Sequence, residues 1–170
     1  MSGAGISAGL LGDGALGRAT SRVVGWLSLF FAAMFLFAVG GKLWYALPAH
    51  ETILVVTGLG DDAARLVGVM VVVWEVALAV ALGVRWRLRA VSVALLATMA
   101  AFTLVTLRLV MTPGAAACGC FGEGWVAGVF AWDAREMNIA ALSRNVVLLV
   151  LAAALLLKVW FGARGAARGV

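Results

Sequence analysis

Residues 23–41, VVGWLSLFFAAMFLFAVGG, run for about 19 positions without a charge. About 20 apolar residues in helical form, at 1.5 Å each, cross the hydrocarbon of a bilayer. A secretory signal has a shorter apolar core and a small-residue cleavage site, so this run is expected to remain as a membrane helix. The helix is expected over about residues 22–47, with Pro48 closing it and Lys42 about one turn inside its far end. Trp26, Trp44 and Tyr45 fall at aromatic-belt positions.

Outward from that run the same pattern recurs. Composition is 65% hydrophobic and 12% charged over 170 residues, against about 45–50% and about 25% in soluble domains. The mean hydropathy of +1.10 argues against a water-soluble fold. A second helix is expected over about residues 63–84 with Glu75 near its middle, and a third over 90–111 with Arg108 one turn from its end. The fourth is expected to begin at Asp133, where Glu136 three residues on makes a capping box, and its membrane part covers 145–162. The chain thus reads as an all-α membrane protein, an antiparallel bundle of four transmembrane helices. Residues 1–21 are expected as a flexible cytoplasmic tail, 22–162 as the membrane domain and 163–170 as a second flexible tail. In the first loop, residues 53–56 are apolar enough to lie in the interface or fold back on the bundle, and Asp61 and Asp62 suit the N-cap and first turn of the next helix.

The net charge of +5 does not point to nucleic acid, because the basic residues flank apolar runs and do not gather on an aromatic-rich face. No phosphate loop, zinc-ligand set or Ser/His/Asp constellation is visible. His50 is the one histidine, which argues against a multi-histidine metal or haem site. Arg18, Arg22, Arg85, Arg87, Arg89, Lys158, Arg164 and Arg168 fall on one side of the bundle, opposed there only by Asp13. The other side carries Lys42, Arg65, Arg108, Arg135 and Arg144 with nearly all the acids. The positive-inside rule then places both termini in the cytoplasm of a bacterial inner-membrane protein.

Both cysteines lie in one loop, as Cys118-Gly119-Cys120-Phe121-Gly122, facing outward under that topology. A disulfide across so short a ring stabilises little, since the stabilisation comes from closing long loops. Gly119 tolerates the backbone the ring needs. Thiol–disulfide exchange is the leading role, ahead of two small buried hydrophobes or a soft-metal pair. One cysteine would attack and the other resolve, with Cys120 the first choice as nucleophile. Three charged residues occupy costly depths: Lys42, Glu75 and Arg108 are expected to converge on one polar pocket. The competing readings are snorkelling for the two cations and structural pairing for Glu75. Placed beneath the loop, the cations would raise the thiolate fraction. Arg144 is read as a helix-end anchor, and Asn145 as a cap or a hydrogen-bond partner of the cysteine loop.

Gly40-Gly41-Lys42-Leu43, Trp74-Glu75, the C-G-C-F-G loop and Arg144-Asn145 together resemble the MauE branch of the DoxX-like membrane proteins. The resemblance covers most of the chain between the tails. It implies a redox-associated inner-membrane protein that works with a thioredoxin-like or disulfide-rich extracytoplasmic partner on the maturation of a secreted protein. A membrane quinone is a candidate electron acceptor, because this chain has no second cysteine pair for a relay; no quinone or other cofactor motif is visible. The second class of function is a non-enzymatic assembly or anchoring subunit.

Overall fold

The computed structural model describes residues 10–44, 48–115, 117–118 and 133–167. Among them there are five helices and no strands: α1 (Leu10–Trp44), α2 (Pro48–Thr57), α3 (Asp61–Gly83), α4 (Leu88–Met111) and α5 (Ala134–Ala167). Ser21–Leu43 of α1, all of α3 and α4, and Ala134–Phe161 of α5 are each long and apolar enough to span a membrane. The protein is an all-α membrane protein with four spanning helices. Helical backbone continues past both expected limits of the membrane domain, back to Leu10 and on to Ala167.

The spanning helices form a ring in which α1 packs on α3, α3 on α4, α4 on α5 and α5 on α1. Neighbours run antiparallel. Gly25, near the start of the spanning part of α1, meets Arg85 just after α3, while Lys42 at the end of α1 meets Glu75 within α3. Between α3 and α4 the Trp74 indole N–H donates to Thr98 Oγ1 at 2.9 Å.

Each helix turns one narrow stripe inward. On α1 the stripe is Ser28, Phe31, Phe35, Ala38 and Lys42; on α5 it is Asn138, Ala141, Asn145, Leu148, Ala152 and Leu155. The steps of three, four and seven residues are one face of a 3.6-residue helix. Phe31 and Phe35 meet Leu78, Leu82, Leu95, Met99, Leu148 and Leu155 in the core. Apolar side chains such as Phe37, Leu66, Met70, Leu104 and Val150 point outward, as lipid contact requires. Hydroxyls inside the spans are satisfied by their own helix: Ser28, Thr98, Thr103 and Thr106 each donate to the carbonyl four residues back.

The first loop contains a helix. Pro48 opens α2, a position where its missing N–H costs nothing. The helix folds back on α3 and also touches α4, so the fold-back expected of residues 53–56 occurs. Ile53 Cδ1 lies 3.6 Å from where a Cβ on Gly68 would stand, so a small residue on α3 admits the contact. Lys42, near the end of α1, is itself buried. Asp61 and Asp62 sit in the first turn of α3, but the N-cap is Gly60 and no side chain caps it. Asp61 instead meets Arg65 at 3.5 Å in an exposed pair.

Candidate functional site

At the end of the bundle where α4 stops and α5 starts, Cys118 is fully buried. Its backbone N–H donates to Asn138 Oδ1 at 2.7 Å, so α5 holds this point of the loop. Cys118 is in the disulfide-bonded form, not a free thiol. Gly119, Cys120, Phe121, Gly122, Trp125 and Trp132 lie outside the described residues.

The start of α5 is fixed by the reciprocal pair the sequence indicates. Glu136 N–H donates to Asp133 Oδ1 at 2.7 Å, and Asp133 N–H donates to Glu136 Oε2 at 3.2 Å. This capping box satisfies two otherwise unpaired N–H groups and locks the rotation of the first turn, and with it the position of Asn138. Facing it, Thr112 Oγ1 donates to the Arg108 carbonyl at 2.8 Å and Gly114 turns the chain with a φ of 72°. Between these two ends lies a cleft of about 660 Å³, lined by residues 109–115 on one side and by Asp133, Ala134, Arg135 and Asn138 on the other. Asn138 belongs both to the cleft wall and to the hydrogen bond on Cys118.

Deeper in the bundle a polar group joins three helices. Lys42 Nζ is hydrogen-bonded to Glu75 Oε1 as a buried salt bridge. The Lys42 ammonium also stands 5.7 Å from the centroid of the Phe102 ring on α4. Glu75 Oε2 is buried with no hydrogen-bond partner. One turn along α4 from Phe102, Thr106 Oγ1 accepts from Asn145 Nδ2 at 2.9 Å while donating to the Phe102 carbonyl at 2.7 Å. Buried polar residues thus run from the ion pair, past Thr106 and Asn145, to Asn138 beneath Cys118. Asn138 and Asn145, seven residues apart, share one face of α5.

Three expectations are corrected by this geometry. Lys42 and Glu75 converge, but Arg108 does not join them: it is exposed, because the buried stripe of α4 passes through Thr106 and Leu109 on either side of it. Asn145 bonds Thr106, not the cysteine loop; Asn138 has that role, and sequence reasoning missed it. Arg144 is not at a helix end, since α5 begins at Ala134, about 15 Å earlier along the axis; it is half-buried. Among the described residues no group of His, Cys, Asp and Glu is arranged to hold a metal ion.

Four spanning helices, a buried ion pair and a cysteine loop tied to a capped helix start define a multi-pass integral membrane protein. The family model described as Methylamine utilisation protein MauE matches residues 20–158, and the chain belongs to that family. No curated protein and no solved structure matches it.

Proposed function

We propose that this chain is a redox subunit that exchanges disulfides, through Cys118 and Cys120, with a thioredoxin-like or disulfide-rich extracytoplasmic protein. The observation that carries the reading is the disulfide-bonded Cys118 held by Asn138, a residue that also lines an open cleft. A staple closing so short a ring adds little stability, whereas such bonds are the exchanging kind. The cleft gives a partner's segment a place beside the pair. The family's description supplies the setting, methylamine utilisation, in which the partner would be a secreted protein awaiting oxidation.

The exchange balances as follows. A partner thiolate attacks one sulfur of the pair, a mixed disulfide forms and the other sulfur leaves as a thiolate. The partner's second thiol then displaces the pair, so the partner gains a disulfide and Cys118 and Cys120 become thiols. Two electrons and two protons are then to be removed. A membrane quinone, reduced to quinol, is an acceptor class that does this without a second cysteine pair. Burial of Cys118 favours Cys120 as the attacked sulfur and Cys118 as the resolving one.

On the positive-inside rule the basic α3–α4 turn would face the cytoplasm of a bacterial inner membrane, and the cleft the outside. A reporter fused after Val170 should read cytoplasmic, and the reverse would remove the oxidising compartment the mechanism needs. The chemical test is trapping. Run in reverse, from the partner in its disulfide form, the Cys120 thiolate of Cys118→Ser should attack the partner and stay in a mixed disulfide that no second thiol of this chain resolves, seen as a higher-mass species that reductant abolishes. If neither single Cys→Ser variant traps a partner and the double variant still supports the pathway, an assembly or anchoring role replaces this one.

A further inference from the structure

We propose that the turn between α3 and α4, at the end of the bundle opposite the cysteine loop, is a binding site for the phosphate of an anionic membrane lipid. Helix α3 ends in a Schellman turn: Trp86 N–H reaches the Ala81 carbonyl at 2.9 Å and Arg85 N–H the Leu82 carbonyl at 3.3 Å. The residue in the left-handed position of such a turn is usually glycine. Here it is Arg85, with φ of 56°, and two residues on Arg87 is left-handed again at 41°. Arginine pays a conformational cost in that region that glycine does not. The Val80, Ala81 and Leu82 carbonyls at the end of α3 are already taken by backbone N–H groups, so neither side chain is needed for that role.

The guanidinium groups are nonetheless placed. Arg85 lies across α1 at Gly25: a Cβ there would stand 2.0 Å from Arg85 Nη2, so glycine leaves the room that the guanidinium fills. Arg87 stacks on the Trp86 indole, 5.3 Å from the ring centroid, and Trp86 is itself exposed. Arg22, one turn before Gly25 on α1, and Arg89 at the start of α4 are also exposed. Among the described residues none of these four arginines forms a salt bridge with a carboxylate. A strained, cationic turn anchored to a second helix and flanked by an exposed tryptophan has the chemistry for one phosphate diester at headgroup level. Two guanidinium forks would bind its oxygens, and the indole would lie at the headgroup boundary.

The test is native mass spectrometry of the full-length protein in neutral detergent, titrated with phosphatidylglycerol, phosphatidylcholine or soluble glycerol phosphate. Wild type should retain phosphatidylglycerol over phosphatidylcholine. Arg85→Gln and Arg87→Gln should each weaken phosphatidylglycerol binding about fivefold, the effect of one basic residue near a charged headgroup. Arg65→Gln, at the other end, should not. Arg85→Gly separates binding from folding: it should raise the melting temperature in lipid-free detergent while lowering phosphatidylglycerol retention. Equal retention of both lipids, or an undiminished preference in both Gln variants, would overturn the site. Full displacement by glycerol phosphate would also overturn it, in favour of a soluble phosphate ligand.

Discussion

At the scale of single residues, the buried pair of Lys42 and Glu75 concentrates the cost in this structure. Each side chain answers the other, and Glu75 Oε2 has no further partner. Removing one member leaves a buried charge uncompensated, an effect of about 3–5 kcal/mol, whereas replacing both by apolar groups is close to neutral. Glu75→Leu alone should therefore lower thermal stability strongly, and the double variant Lys42→Met with Glu75→Leu should recover most of it. Partner oxidation in the double variant decides whether the pair does more than hold α1 to α3. Full activity would make it structural; lost activity in a stable protein would give it a part in the exchange. The pairing was legible in the sequence because charges at such depth are too costly to leave facing lipid. For Arg108 the sequence left snorkelling and convergence both open, and it stands exposed. A membrane helix is apolar all round, so its hydrophobic pattern does not reveal which face packs inward. Asn138 and Asn145 would have given that phase for α5, since two amides seven residues apart in an apolar helix must share a buried side.

At the scale of elements, α5 matters most, because its first turn sets where Cys118 is held. Asp133→Ala removes one half of the capping box and should cost about 1 kcal/mol. The more telling outcome is local: amide exchange at the start of α5 should quicken, and the Cys118 disulfide should become easier to reduce, while the melting temperature falls only slightly. A fall in melting temperature with unchanged reducibility would show that the cap does not govern the site. The capping box was readable as a sequence motif because it is local, two side chains and two N–H groups within four residues. The helix α2 was only half readable. Its apolar residues announced the fold-back, but ten residues are too few to signal a helix without the surface of α3 to lie on. The N-cap of α3 was misread for a related reason: Asp61 had a competing partner in Arg65, one turn away.

At the scale of the whole molecule, the helix ring sorts chemistry by end, with the cysteine loop and cleft at one and the basic turn at the other. That division was visible in the sequence as a charge asymmetry around four apolar runs. The polar column that joins four helices inside was not, since it depends on contacts between residues far apart in the chain. The ion pair has a consequence for biosynthesis. Lys42 and Glu75 are 33 positions apart, so the first span can meet the translocon and lipid before its counter-charge has left the ribosome. An ammonium at the middle of a spanning helix costs about 2.5–3.5 kcal/mol on insertion scales, and less towards the end of the span, where Lys42 lies. The nascent first span should therefore wait in a shallower register, with Lys42 at the headgroups, and slide inward once α3 arrives. Truncated chains released from the ribosome and ending at residue 60 and at residue 86 contain no native cysteine, so Leu43→Cys reports this directly. A membrane-impermeant maleimide should label the shorter chain and spare the longer one. Equal labelling would mean that the first span finds its final depth alone, and that Glu75 meets a lysine already in place.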